Sequence, residues 1–198
     1  MRIIVVGASG TIGRAVVAAL EAQHEVIAAS RLSLTAPVDI EKPASIREMY
    51  RRTGKVDAVV SVAGQAKFAP LAELADSDFQ FSLENKLMGQ VNLVRLGFEW
   101  VRDGGSFTLT SGVLAQSPMR GSAAISLVNS GLEGFTRAAA LEAPRGIRVN
   151  VVSPPWVSET LAAMGMDTAH GLPAASVARA YVGSVTGSQT GAVIAPER

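Results

Sequence analysis

The chain contains no cysteine, which excludes disulfides, thiolate chemistry and cysteine-ligated metals. Aromatic residues are scarce at 5%, with two tyrosines and two histidines among 198 residues. A phenol or imidazole for proton transfer therefore has to come from Tyr50, Tyr181, His24 or His170. Eighteen basic against seventeen acidic side chains leave a net charge of +1. With no basic block, nucleic acid or an anionic membrane is not the expected main partner. No apolar run approaches the roughly 20 residues of a membrane span. The first strand is expected from Arg2, which leaves no room for a signal peptide. The expectation is a soluble, cytoplasmic protein with no metal site.

What is present is enough for one domain, 1–198, with a full hydrophobic core: 48% of the residues are apolar. The β-branched run "RIIVV" (2–6) has the pattern of a strand buried on both faces. Thr11 to Ala22 carries Ile12, Ala15, Val16, Ala19 and Leu20 at helical spacing. "EVIAAS" (25–30) reads as a strand, and Pro43 to Thr53 as a helix with proline at its start. "VDAVVSVAG" (56–64) reads as a strand, and Asp78 to Arg102 as one long helix with Leu87, Val91, Val94, Phe98 and Val101 on one stripe. "SFTLTSG" (106–112), a helix over 122–142, "IRVNVVS" (147–153), a helix over 173–185 and "GAVIA" (191–195) complete the chain. Such alternation implies a doubly wound parallel sheet with ligand at the carboxyl ends of the strands.

The first strand–helix turn, "VVGASGTIGRA", spaces Gly7, Gly10 and Gly13 as G-x-x-G-x-x-G. A pyrophosphate needs a tight turn, close backbone approach and free N–H groups at a helix start, so Ser9, Gly10, Thr11 and Ile12 are candidate contacts. The bland alternative is a turn that merely needs small residues. At the end of the second strand stands Ser30-Arg31 in place of the carboxylate that holds an NAD ribose. Arg31 suits a 2′-phosphate, which favours NADP(H) over NAD(H), although an exposed arginine after a strand would look the same.

With these pieces in place the chain resembles the short-chain dehydrogenase/reductase family, nearly end to end. The resemblance implies an α/β Rossmann-like doubly wound sheet of about seven strands. "VDI" (38–40) resembles the segment whose Asp39 and Ile40 contact adenine, and "SVAG" resembles the strand ending that supplies Ala63 and Gly64, with Val62 where Asn is usual. "SLENKLMGQVNLV" resembles the helix with a structural and catalytic Asn, taken here as Asn85, and "FTLTSG" the strand presenting the catalytic Ser111. "SGLEGFTRAAALEAPRGIRVNVVSPPWV" resembles the following helix, strand and Pro-Gly turn, with Pro154 and Val157 toward the nicotinamide and Pro155 replacing the usual Gly. Two departures stand out: Thr11 occupies the middle glycine position, and the chain is shorter than usual for the family. Helices 78–102 and 122–142 would form the family's subunit contact, implying a homodimer or homotetramer.

The family's Tyr-x-x-x-Lys should fall in "ISLVN". Ile125 stands at the Tyr position, 14 residues after Ser111, and Asn129 at the Lys position. Hydride transfer to a carbonyl leaves an alkoxide that needs a proton; a neighbouring ammonium normally tunes the phenol that gives it. Loss of a general acid costs about 10²- to 10⁴-fold in rate. Tyr50 and Tyr181 are expected to pack on outer helices, His24 far from the cleft, and His170 in a loop. Lys86 is expected to point away from Asn85. Three readings follow. The first is an NADP-dependent oxidoreductase acting on an unknown small-molecule carbonyl or alcohol, with a non-standard proton source such as water ordered by Ser111 and Asn129. The second is a catalytically silent NADP(H)-binding sensor. The third is an interaction protein that kept only the fold.

Overall fold

The computed structural model describes residues 1–197. β1 (Arg2–Val6), β2 (Glu25–Ala29), β3 (Val56–Ser61), β4 (Val101–Thr110), β5 (Arg148–Val152) and β6 (Val193–Ile194) form one sheet in the order β2-β1-β3-β4-β5-β6, every pair parallel. The helices are α1 (Thr11–Glu21), α2 (Pro43–Thr53), α3 (Asp76–Ser82), α4 (Gly89–Gly97), α5 (Ala123–Glu142), α6 (Ser158–Ala163) and α7 (Ala174–Thr186).

Side chains alternate across a strand, so the β-branched runs feed two cores. Ile4 and Val6 of β1 join Ile46, Met49, Leu93 and Leu132 from α2, α4 and α5 on one face. Ile3 and Val5 join Val16 and Leu20 of α1 with Val177 and Tyr181 of α7 on the other. Each such buried Val, Leu or Ile is worth about 1.5–3 kcal/mol. Strand order reverses between β1 and β3. The loops after these two strands therefore flank a crevice at the sheet's carboxyl edge.

The described residues carry six strands where about seven were implied. Between β2 and α2 the chain makes a lone bridge, Ser30 to Pro37. Proline has no N–H to extend a ladder there. The single helix expected over 78–102 is three pieces: α3, a π-helical segment Leu83–Met88, and α4. The chain then turns, with Trp100 N–H on Gly97 O, and Val101 pairs with Val56 in the sheet. A helical stripe ending at Val101 was a coincidence of spacing. Gly97 is where the helix meets the core, because a Cβ there would touch Tyr50 Oη and the Phe107 ring.

Candidate functional site

Two cavities meet along the carboxyl edge. The first is lined by Gly7, Ser9 and Gly10 after β1, Ser30 and Arg31 after β2, the segment from Val38 to Glu41, and Val62 to Gln65 after β3. Gly7 has φ of +87°, and a Cβ on it would meet Ala63 N at 2.8 Å. Only glycine lets the β1 and β3 loops close so tightly. Gly13 lies beneath the turn, where a Cβ would collide with Gly7 O and stand 2.9 Å from Ala8 Cα. The first residues of α1, Thr11 and Ile12, follow Gly10 with no side-chain cap, so the helix offers free backbone donors at this turn. The Lys42 ammonium, 3.0 Å from Asp39, holds that carboxyl below its usual range.

The second cavity is lined by Ile12, Lys86, Thr110, Ser111, Ile125 and Asn129, closed by Pro154 to Val157. Val62, Ala63 and Gly64 line both cavities, which makes one elongated cleft. Its polar wall is only partly satisfied. Asn129 is 1% exposed; its Nδ2 donates to Gly112 O at 3.4 Å, and its Oδ1 is buried without a partner. Ser111 Oγ donates to Glu133 Oε1 at 3.1 Å, and Gln116 bonds the other carboxylate oxygen. The single hydroxyl hydrogen of Ser111 is thus committed away from the cavity.

Gly7, Ser9, Gly10, Arg31, Asp39, Ile40 and Asn85 come together in the first cavity, and Ile12, Ser111, Asn129, Pro154 and Val157 in the second. Thr11 and Gly13 shape the turn without lining either cavity. Asn85 does not face Ser111: it bonds Glu41 and accepts from Gln65 N–H at 2.6 Å. Its neighbour Lys86 does point away from it, but into the second cavity, and donates from Nζ to Ser111 O at 3.1 Å. Burial pushes the Lys86 ammonium down to about 8. Both residues lie on the π-helical segment, a distortion common at functional sites. Lys86, Glu41 and Glu133 are not among the site residues expected from the sequence. Tyr50 and Tyr181 are fully buried, and burial raises both phenols well above their ordinary value. Among the described residues no cluster of His, Asp or Glu could hold a metal, and no helix is long and apolar enough to cross a membrane.

A parallel six-stranded sheet with its cleft at the switch point defines the class of Rossmann-like α/β proteins. Within it, the chain belongs to the short-chain dehydrogenase/reductase family: the family model described as enoyl-(acyl carrier protein) reductase matches residues 4–195. The chain is 31% identical over 156 residues to hydroxynaphthalene reductase arp2 of Aspergillus fumigatus, covering 78% of this chain and 56% of that protein. It is 30% identical over 116 residues to the 3-oxoacyl-[acyl-carrier-protein] reductase of Rattus norvegicus, covering 58% and 49%. The chain thus spans about half the length of the curated relatives it matches. Among solved structures, the protein lin1944 of Listeria innocua is 43% identical over the whole of both chains, with a TM-score of 0.95. A small-chain dehydrogenase in complex with NADPH is 26% identical over 98% of this chain and 95% of that one, with a TM-score of 0.89.

Proposed function

We propose that this protein is a single-domain NADP(H)-dependent oxidoreductase that interconverts a carbonyl and an alcohol without the usual tyrosine acid. The observation that carries the reading is the continuous cleft at the β1/β3 switch point, with a Gly7 cradle that a Cβ would fill and a buried, unpartnered Asn129 Oδ1. Both features fit a dinucleotide: one admits a pyrophosphate, and the other awaits a donor such as a ribose hydroxyl. The nicotinamide, when bound, supplies hydride chemistry. Gly7, Ser9, Gly10 and the first N–H groups of α1 would hold the pyrophosphate, and Asp39 and Ile40 the adenine. Arg31, which lines the first cavity with Ser30, would take a 2′-phosphate, which favours NADP(H) over NAD(H). Ala63, Gly64, Pro154 and Val157 would border the nicotinamide half. The NADPH complex of the structural neighbour supports this reading.

Ile125 and Asn129 stand where the family carries its Tyr and Lys, so we assign the proton to another group of the second cavity. The assembly is a homodimer or homotetramer through the α4 and α5 region, by analogy with the family. Titration with NADPH, NADP⁺ and NADH, followed by melting temperature, tests the cofactor half. A carbonyl panel read by loss of the reduced nicotinamide's absorbance tests the chemistry. A rise in melting temperature with NADPH, larger than with NADH, is expected. One observation favours a second reading, a silent NADP(H) sensor: the Ser111 hydroxyl faces Glu133 and not the cavity. NADPH binding with no turnover on any carbonyl would decide for the sensor.

A further inference from the structure

Among the described residues lining the second cavity, Lys86 alone carries a charge. Its stem lies against Gly64, where a Cβ would meet Lys86 Cγ at 2.9 Å and its Cα at 3.1 Å. A lysine ammonium has three donors, and the bond to Ser111 O uses one of them. The same cavity is lined by Ser111, the orphaned Asn129 and the apolar Ile125. The carboxylates of the neighbouring elements are engaged elsewhere. Glu133 of α5 accepts from Ser111 Oγ, Glu84 of the π segment from Gln80, and Glu41 from Asn85.

We propose that Lys86 is the proton donor of this site: as hydride from a bound dihydronicotinamide reaches a substrate's carbonyl carbon, the Lys86 ammonium protonates the carbonyl oxygen. This rests on the oxidoreductase reading above. The C=O π bond breaks, a C–H bond forms with the hydride pair, and an O–H bond forms with the proton from Nζ. The carbonyl is reduced to an alcohol, the dihydronicotinamide is oxidised, and the neutral amine recovers a proton from water. Burial alone lowers the ammonium to about 8, close to the operating pH at which an acid transfers protons best. Lys86 and Ile125 line the same cavity, so the cavity holds an ammonium although it has no phenol.

Two measurements on the whole protein test this. Competitive acetylation without cofactor, read on the Lys86 peptide, should titrate near pH 8, and NADP⁺ should protect the residue. An ordinary lysine's pH dependence, or no protection, overturns the assignment without any turnover being needed. Lys86→Met and Lys86→Gln should keep NADPH affinity while kcat for carbonyl reduction falls about 10²- to 10⁴-fold. The wild type's loss of activity above pH 8 should vanish in both. Retained NADPH binding shows that the variants fold. Variants that turn over at the wild-type rate overturn the assignment alone. A wild type that binds NADPH yet reduces no carbonyl overturns the oxidoreductase reading, and this assignment with it.

Discussion

Lys86 Nζ donates to the carbonyl oxygen of Ser111 at 3.1 Å, tying the π-helical segment to the end of β4 across the cleft. This contact places a cation in a cavity wall that otherwise holds neutral side chains. Its cost follows from linkage. Burial lowers the ammonium from 10.5 to about 8, so below about pH 8 the folded protein carries the disfavoured charge. Between about 8 and 10.5 the unfolded chain binds more protons than the folded one, and stability rises with pH. Lys86→Met should therefore be more stable than the wild type at neutral pH, by at most about 3 kcal/mol. Denaturant unfolding of both proteins across this window should show the gap closing as pH rises.

The Gly7 cradle makes a second expectation. An alanine there combines a φ of +87° with a Cβ 2.8 Å from Ala63 N. A non-glycine residue in such backbone costs of order 1–3 kcal/mol. Gly7→Ala should lower the melting temperature, and NADPH should no longer raise it.

The 2′-phosphate role proposed for Arg31 predicts that its loss affects the two cofactors differently. Arg31→Ala should weaken NADPH roughly tenfold or more, the equivalent of about 1.4 kcal/mol, and leave NADH binding nearly unchanged. Calorimetry on both cofactors reads the ratio; equal losses for the two would remove the 2′-phosphate role from Arg31.

Tyr50 is a structural tyrosine. Its hydroxyl donates to Leu93 O at 2.7 Å inside the core, joining α2 to α4. Tyr50→Phe removes that bond and should cost about 0.5–1.5 kcal/mol. Carbonyl reduction at temperatures where the variant is folded should not change.

The fold was readable because long-period patterns dominate it. The runs of β1 and β3 must be buried on both faces, and Pro43 and the Gly triplet mark helix starts by backbone chemistry. The single helix expected over 78–102 fails for a local reason. Val94, Phe98 and Val101 continue a helical spacing by chance, whereas the chain turns at Gly97 and enters the sheet. The turn of the candidate site was legible where backbone dictates it, at Gly7, Gly10 and Gly13. It was less so where one residue of register decides. Asn85 and Lys86 are neighbours on the π-helical segment, yet the first turns to Glu41 and the second to Ser111. Nor does composition say that the Ser111 hydroxyl turns to Glu133, a residue four places along α5 from Asn129.

The central claim is that the two cavities form one nicotinamide dinucleotide site. Calorimetric titration of the purified protein with NADPH tests it most directly. One molecule bound per chain, with affinity lost in Gly7→Ala and weakened in Arg31→Ala, is the predicted result. No heat and no rise in melting temperature with millimolar NADPH or NADH would contradict it.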